Sequence, residues 1–234
     1  MPLLRSSAAL PGQCVLCHGW GTARLCGACW AQEAPHVSRC RRCAIAVPEG
    51  VPECGDCLRA PPPFAATIAV LDYRPPWSAL VARFKFHDGL DLGGVFAQRL
   101  AAACREVSPR PTLILPVPLA EDRLRERGYN QAWELARRVG MALGIAADAT
   151  LLLRIRATPH QLALPPDRRT ANVRDAFALE PRRRSEVAGR DVAIVDDVVT
   201  TGATVAEVAR VLLAAQVARV QVWALARTPR PGEA

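Results

Sequence analysis

Asp196 and Asp197 follow the apolar run Val192-Ala193-Ile194-Val195 and precede Val198-Val199-Thr200-Thr201-Gly202-Ala203-Thr204. Two adjacent carboxylates at the end of a buried strand can accept hydrogen bonds from the vicinal hydroxyls of a ribose. Thr200, Thr201, Gly202, Ala203 and Thr204 make a hydroxyl-rich turn at the start of a helix. Backbone N–H groups and the helix dipole favour an anion there, so the turn suits a phosphate. Gly202 has no Cβ and lets the backbone come close to a ligand. Strand, acid, turn and helix also form ordinary βα connections, in which an aspartate pair only caps the helix. The full combination is far more specific than a lone glycine motif, and its strand–turn–helix context favours a sugar-phosphate site.

Eight of the nine cysteines stand in four pairs of identical spacing: Cys14 with Cys17, Cys26 with Cys29, Cys40 with Cys43, and Cys54 with Cys57. A CxxC knuckle turns both thiolates towards one point, and two knuckles supply the four sulfurs of a tetrahedral zinc site. The spacing therefore predicts two structural zinc ions. Metal binding then adds folding free energy to a segment too short, and too rich in Pro, Arg and Gly, to bury much apolar surface. Disulfides are disfavoured in a chain without a secretory signal, and a redox motif would be one CxxC rather than four. Sequential pairing joins Cys14, Cys17, Cys26 and Cys29 around one ion and Cys40, Cys43, Cys54 and Cys57 around another. It makes short loops and is preferred; pairing the first knuckle with the third is the alternative. Cys104 lies apart in a helical-looking stretch and reads as a small buried hydrophobe.

The apolar run Thr112–Leu115 reads as a buried parallel strand. Pro116-Val117-Pro118-Leu119 stops it in a rigid loop, at the strand end where open α/β sheets hold ligands. Arg123 and Arg127 follow, four residues apart and on one helix face. Their guanidinium groups suit a pyrophosphate or DNA phosphates; the alternative is a solvated basic face. Lys85 and His87, near the Gly89 turn, are within reach of a ligand, but exposed polar residues at a helix end are the commoner case and the preferred reading. Residues 157–177 show no period and carry His160, Arg168, Arg169 and Arg174, so they form a functional lid or an insert. Arg182-Arg183-Arg184 reads as a charged surface turn.

These groups need a scaffold, and the pattern of the rest supplies one. The 234 residues carry a net charge of +8 and are half hydrophobic with 5% aromatics, so the core is built from Ala, Leu and Val. The basic balance points to anionic partners: phosphorylated metabolites, nucleic acid or a membrane surface. Residues 1–13 lack a secretory h-region, and no apolar run of about 18 residues marks a membrane span. A cytoplasmic chain is expected. Strands are predicted at Ala65–Tyr73, Leu151–Arg156, Asp191–Val195 and Val217–Ala226. Helices are predicted at Trp77–Lys85, Leu92–Val107, Ala132–Leu143 and Thr204–Leu213. Alternation of this kind gives an α/β fold, a mainly parallel sheet flanked by helices. The expected organisation is a double zinc ribbon over residues 1–60, a proline-rich linker at 61–64 and the sheet domain over 65–230.

The Val192–Thr204 segment resembles the phosphoribosyl-pyrophosphate (PRPP) loop of type I phosphoribosyltransferases. The chain as a whole is similar to the ComF family of competence-associated, phosphoribosyltransferase-like proteins. That resemblance rests on the ribbons, on Arg127-Gly128-Tyr129-Asn130-Gln131-Ala132, on Thr158 and Gln161 with Asn172–Phe177, and on the Asp196–Thr204 loop, in that order. It implies a cytosolic protein that helps handle incoming single-stranded DNA in natural transformation, with a preserved PRPP pocket. The alternative is an active phosphoribosyltransferase that moves phosphoribose to an unknown acceptor.

By the resemblance, Asp196 and Asp197 hold the ribose hydroxyls, and Thr200, Thr201, Gly202, Ala203 and Thr204 cradle the 5′-phosphate. Val117, Pro118 and Leu119 line the pyrophosphate side with Arg123 or Arg127. Mg²⁺ rides on the pyrophosphate through substrate oxygens and water. The ribbons imply a nucleic-acid contact or a helicase-like protein partner. One departure is Thr200, which stands where the 6-oxopurine branch carries an acid, so a purine-base role loses its general acid/base.

Overall fold

The computed structural model describes residues 11–85, 89–156, 173–230 and 232. His87, Thr158, His160, Gln161, Arg168, Arg169 and Asn172 lie outside the described residues. The chain divides into two compact units, Met1–His36 and Val37–Ala234.

In the first unit, β1 (Gly12–Gln13) pairs antiparallel with β2 (Trp20–Gly21), and α1 (Gly27–Glu33) follows. The Cys14 N–H donates to Gly19 O and the His18 N–H to Cys14 O, both at 2.9 Å. The second unit opens on the same knuckle: Cys40 N–H donates to Ile45 O and Ala44 N–H to Cys40 O, both at 2.8 Å. His18 and Ala44 follow the second cysteine of each knuckle, and both take positive φ, 58° and 55°. In each ribbon the third cysteine, Cys26 or Cys54, is the N-cap of a short helix, α1 or α2 (Gly55–Arg59).

The division between the units falls between the two ribbons, whereas the proline-rich stretch at 61–64 lies inside the second unit. The physical reason is hydrogen bonding between the second ribbon and β3 (Ala66–Asp72). The Thr67 N–H donates to Arg41 O at 2.9 Å, and its hydroxyl donates to Arg42 O at 2.6 Å. Arg39 and Asp72 form an ion pair at 2.8 Å.

After β3 come α3 (Trp77–Phe84), α4 (Leu92–Cys104), β4 (Leu113–Pro116), α5 (Glu121–Arg127), α6 (Gln131–Leu143) and β5 (Ala146–Ala147). Next are β6 (Leu152–Arg154), β7 (Phe177–Leu179), β8 (Asp191–Val199), α7 (Ala203–Ala214) and β9 (Arg219–Arg227). The sheet order is β3-β9-β8-β4-β5, with every neighbouring pair parallel. Val192, Ala193, Ile194 and Val195 of β8 are fully buried, as expected of a parallel strand covered on both faces. Val205, Val208, Ala209 and Leu212 of α7 are buried too, the stripe that the helical spacing predicted. Cys104 is buried.

Two predicted strands differ from their expected form. Leu151–Arg156 contributes only Leu152–Arg154, which pairs antiparallel with Phe177–Leu179 in a separate hairpin. The apolar run was visible, but its partner was hidden in a segment without period. Asp191–Val195 extends to Val199, because β9 continues to pair with it through Val199 and Arg227. The acidic pair therefore lies within the strand and not after it.

Candidate functional site

The chain leaves β4 towards β5 on one side and leaves β8 towards β9 on the other. The crevice between β4 and β8 is thus a topological switch point, where open α/β sheets bind ligands at the carboxyl ends of the strands. β4 ends at Pro116, level with Val195. The next residue, Val117, donates its N–H to Val195 O at 2.9 Å. β8 runs on without a β4 partner, so Asp196 and Asp197 enter the sequence at the point where that side of the strand opens.

A cavity of about 230 Å³ occupies this opening. Val117, Pro118 and Leu119 border it from the loop after β4, with Asp196 and Asp197 on β8. Thr200, Gly202 and Thr204 border it from the turn into α7, and Arg123 and Arg127 from α5. Thr201 and Ala203 do not border it; with Gly202 they line a second cavity of about 560 Å³ beside Cys43 and Cys54. The Thr201 hydroxyl accepts from the Ala203 N–H at 3.4 Å. Gly202 is the N-cap of α7, with φ 83°, and brings no side-chain acceptor to the first turn. Its need for glycine is conformational: a Cβ there would meet no atom of the protein within 4 Å.

Lys85 corrects the expectation of an exposed helix end. Its ammonium stands 3.3 Å from Asp197 Oδ2, with only 22% of the side chain exposed. Burial works against the charged amine, but Asp197, Tyr73 and Asp196 outweigh it and raise its pKa. Burial and the charge of Asp197 push the Asp196 carboxyl up to about 8, against the pull of Lys85, the Asp197 N–H and Arg154. A sequence signal for Lys85 existed: among thirty basic residues it is the single lysine, and all the others are arginines.

The Arg127–Ala132 motif is the frame of this cavity. Gly128 ends α5 in the left-handed region at φ 76°. Asn130 caps α6, its Oδ1 accepting from the Ala132 N–H at 2.9 Å, while its Nδ2 donates to Val117 O at 3.0 Å. The Tyr129 hydroxyl donates to Phe84 O. Buried Gln131 donates to Lys85 O at 2.9 Å and accepts from Arg127 Nη1 at 3.0 Å. One short motif therefore sets the loop after β4, the end of α3 and the Arg127 guanidinium together. Arg123 is tied to Glu126 at 2.8 Å. Tyr73, just after β3, and Arg154, at the end of β6, also border the cavity, from far away in sequence.

The cysteines gather as two groups, Cys14, Cys17, Cys26, Cys29 and Cys40, Cys43, Cys54, Cys57, each with all four sulfurs within 4.8 Å of one another. Sequential pairing is therefore the one the fold adopts. Cys17 and Cys26 sulfurs lie 3.8 Å apart, and those of Cys43 and Cys54 lie 3.7 Å apart. Tetrahedral Zn–S bonds of about 2.3 Å give an edge of roughly 3.8 Å, and a disulfide needs about 2 Å. The donor sets fit zinc. Burial pushes the Cys14 and Cys40 thiols up, yet backbone N–H donors outweigh it and hold them at about 6 and about 7. Both are thereby prepared to give up a proton to a metal.

The family model described as the phosphoribosyl transferase domain matches residues 126–234. The chain is 39% identical over 232 residues to the DNA utilization protein YhgH of Salmonella typhi, covering 94% of this chain and 98% of that protein. It is 32% identical over 223 residues to Competence protein F of Haemophilus influenzae, covering 92% and 96%. Among solved structures, the glutamine PRPP amidotransferase of B. subtilis, complexed with ADP and GMP, overlaps 61% of this chain and 30% of its own. That overlap has a TM-score of 0.41 and 19% identity. Among the described residues, no helix is long and apolar enough to cross a membrane.

Proposed function

The chain belongs to the ComF family of competence-associated proteins with a phosphoribosyltransferase domain, and from that premise we propose that it binds PRPP with Mg²⁺ between β4 and β8 and aids the handling of incoming single-stranded DNA in natural transformation. One observation carries the pocket: the acidic pair, the threonine-glycine turn and two arginines, drawn from three elements, border one cavity. Asp196 and Asp197 take the ribose hydroxyls. Thr200 to Thr204 take the 5′-phosphate, with Thr200, Gly202 and Thr204 nearest to it. The backbone at Val117 and Pro118, with Arg123 and Arg127, takes the pyrophosphate. Mg²⁺ neutralises charge on the pyrophosphate and needs no protein cage, because substrate oxygens and water complete its shell.

Calorimetric titration of the zinc-loaded protein with PRPP and Mg²⁺ tests the pocket. Saturable binding that disappears in the Asp196→Ala, Asp197→Ala double variant is expected. No binding by the folded wild type ends the reading.

The DNA role draws support from the net charge of +8 and from the names of the relatives, a DNA utilization protein and a competence protein. Trp20, three-quarters exposed in the first ribbon, offers a surface on which a base can stack. The ribbons are also the surface for a helicase-like partner, and the setting is the cytoplasm. In transformation assays with the double aspartate variant, scored separately for uptake and recombinants, uptake should persist while recombinants fall.

Transfer of phosphoribose to an acceptor is a second reading, favoured by the charge pattern of the cavity. The Asp197 carboxylate, joined by Asp196 once that group gives up its proton, suits an anomeric carbon that turns cationic, and Arg123 and Arg127 suit a departing pyrophosphate.

A further inference from the structure

Arg227 is the last residue of β9 and is 8% exposed. Its Nε donates to Cys43 O, in the second tetracysteine knuckle, at 2.8 Å. Its Nη1 donates to Val199 O at 3.2 Å, to Thr200 O, and to Thr228 O at 2.8 Å. One planar guanidinium thus spans from the metal knuckle to the first residue of the phosphate turn. Its donors are fixed in a fork and cannot turn independently. A shift of the Cys43 carbonyl is therefore carried to Val199 and Thr200.

A second connection runs beside the first. Asp72 pairs in register with Arg227, and it holds Arg39 in an ion pair with both side chains 13% exposed. Arg39 in turn donates to Ala44 O, in the same knuckle, at 3.2 Å. The Tyr73 N–H donates to Arg227 O at 2.8 Å, and Tyr73 borders the cavity. Charge works in the same direction. Four thiolates around a dication leave a net negative cluster beside the buried Arg227 cation. When the metal leaves and the thiolates take up protons, that counter-charge is lost and the knuckle backbone that Arg227 holds is freed.

We propose that Arg227 is a positioning residue that couples the second tetracysteine cluster to the phosphate turn. Metal on Cys40, Cys43, Cys54 and Cys57 sets the turn for a 5′-phosphate, and a bound 5′-phosphate holds that metal more firmly, since coupling between two sites is reciprocal. The first cluster lies in the other compact unit and serves as an internal control. The coupling rests on the sugar-phosphate reading of the turn.

The test is zinc affinity, read by equilibrium competition with a chromophoric chelator, with and without saturating ribose 5-phosphate. A Cys14→Ser, Cys17→Ser variant isolates the second cluster, and a Cys40→Ser, Cys43→Ser variant isolates the first. Ribose 5-phosphate should tighten zinc binding by the second cluster about fivefold or more. Affinity of the first cluster should not change, and ribose without its phosphate should have no effect. Arg227→Lys keeps a cation but loses the fork, and it should abolish the tightening while still binding zinc. Should that variant not fold, the wild-type comparison decides the coupling and Arg227→Gln, which also lacks the fork, decides the link. Calorimetric binding of ribose 5-phosphate without any change in zinc affinity overturns the coupling and leaves the pocket standing. Tightening that persists in Arg227→Lys or Arg227→Gln removes Arg227 as the link. Absence of ribose 5-phosphate binding overturns the pocket and the coupling together.

Discussion

Lys85 Nζ lies 3.3 Å from Asp197 Oδ2, and it is the single amine side chain of the protein. An Arg-rich chain has placed its single lysine against the acidic pair. Lys85 Nζ also stands 6.0 Å from the centroid of the Tyr73 ring, and a compact ammonium fits there where a flat guanidinium demands more room.

The solitary lysine can be read by amine-reactive labelling with mass spectrometry of its peptide. Asp197 is among the groups that raise the Lys85 pKa, against burial. Asp197→Asn removes that support, so the amine loses its proton at lower pH. Labelling at pH 8 should then be several-fold faster than in wild type. An unchanged rate would mean that the ion pair does not exist in solution.

Asp196 sets a pH dependence of stability. An unfolded aspartate titrates near 4, and in the folded chain this one titrates at about 8. Between those values the folded state binds the extra proton. Its contribution is complete below about 4 and is lost as pH rises towards about 8. Asp196→Asn keeps the neutral form at all pH. It should raise Tm at pH 8, by roughly 2–4 °C for each kcal/mol that the ionised form costs in a chain of this size. It should leave Tm at pH 4 nearly unchanged. Equal shifts at both pH values would exclude this origin.

The ribbons should differ in what their metals support. Cys40→Ser with Cys43→Ser removes a cluster whose backbone binds β3 and Arg227, and it should lower the melting temperature of the sheet domain. Cys14→Ser with Cys17→Ser should leave that transition in place and halve the zinc content measured by elemental analysis. Identical melting losses in the two variants would contradict the division of the chain between His36 and Val37.

Asn130→Ala removes the cap of α6 and the donor that holds Val117 O. Losing such a cap costs about 0.5–2 kcal/mol. Denaturant unfolding should show that loss, and Mg²⁺–PRPP should bind more weakly because the loop after β4 loosens. Full stability with full affinity would show that the motif does not frame the cavity.

Trp20→Ala should weaken oligo(dT) binding by about 1–3 kcal/mol, the usual worth of one stacked base. Ribose 5-phosphate affinity should stay the same. Binding of the wild type to oligo(dT) should fall steeply with added salt. DNA affinity untouched by the substitution would move the contact away from the first ribbon.

The elements legible in the sequence are those whose causes lie close together along the chain. A CxxC knuckle, an acidic pair before a threonine-glycine turn, and apolar residues at strand or helix spacing each carry their geometry within a few residues. That is why the four knuckles, the threonine-glycine turn and the α7 stripe were readable. The true partner of Leu152–Arg154 was not, because strand pairing depends on a segment more than twenty residues away.

The local pieces are written in the residue types alone: four CxxC knuckles, a pair of acids, a threonine-glycine turn and a parallel-sheet scaffold. Tertiary packing chose their neighbours. It gathered the knuckles in sequential pairs, set Lys85 against Asp197, aimed Gln131 at both Lys85 and Arg127, and ran Arg227 from Cys43 to Thr200. These contacts join residues up to 184 positions apart. They follow from sheet order and side-chain reach, which no local pattern of residue types encodes.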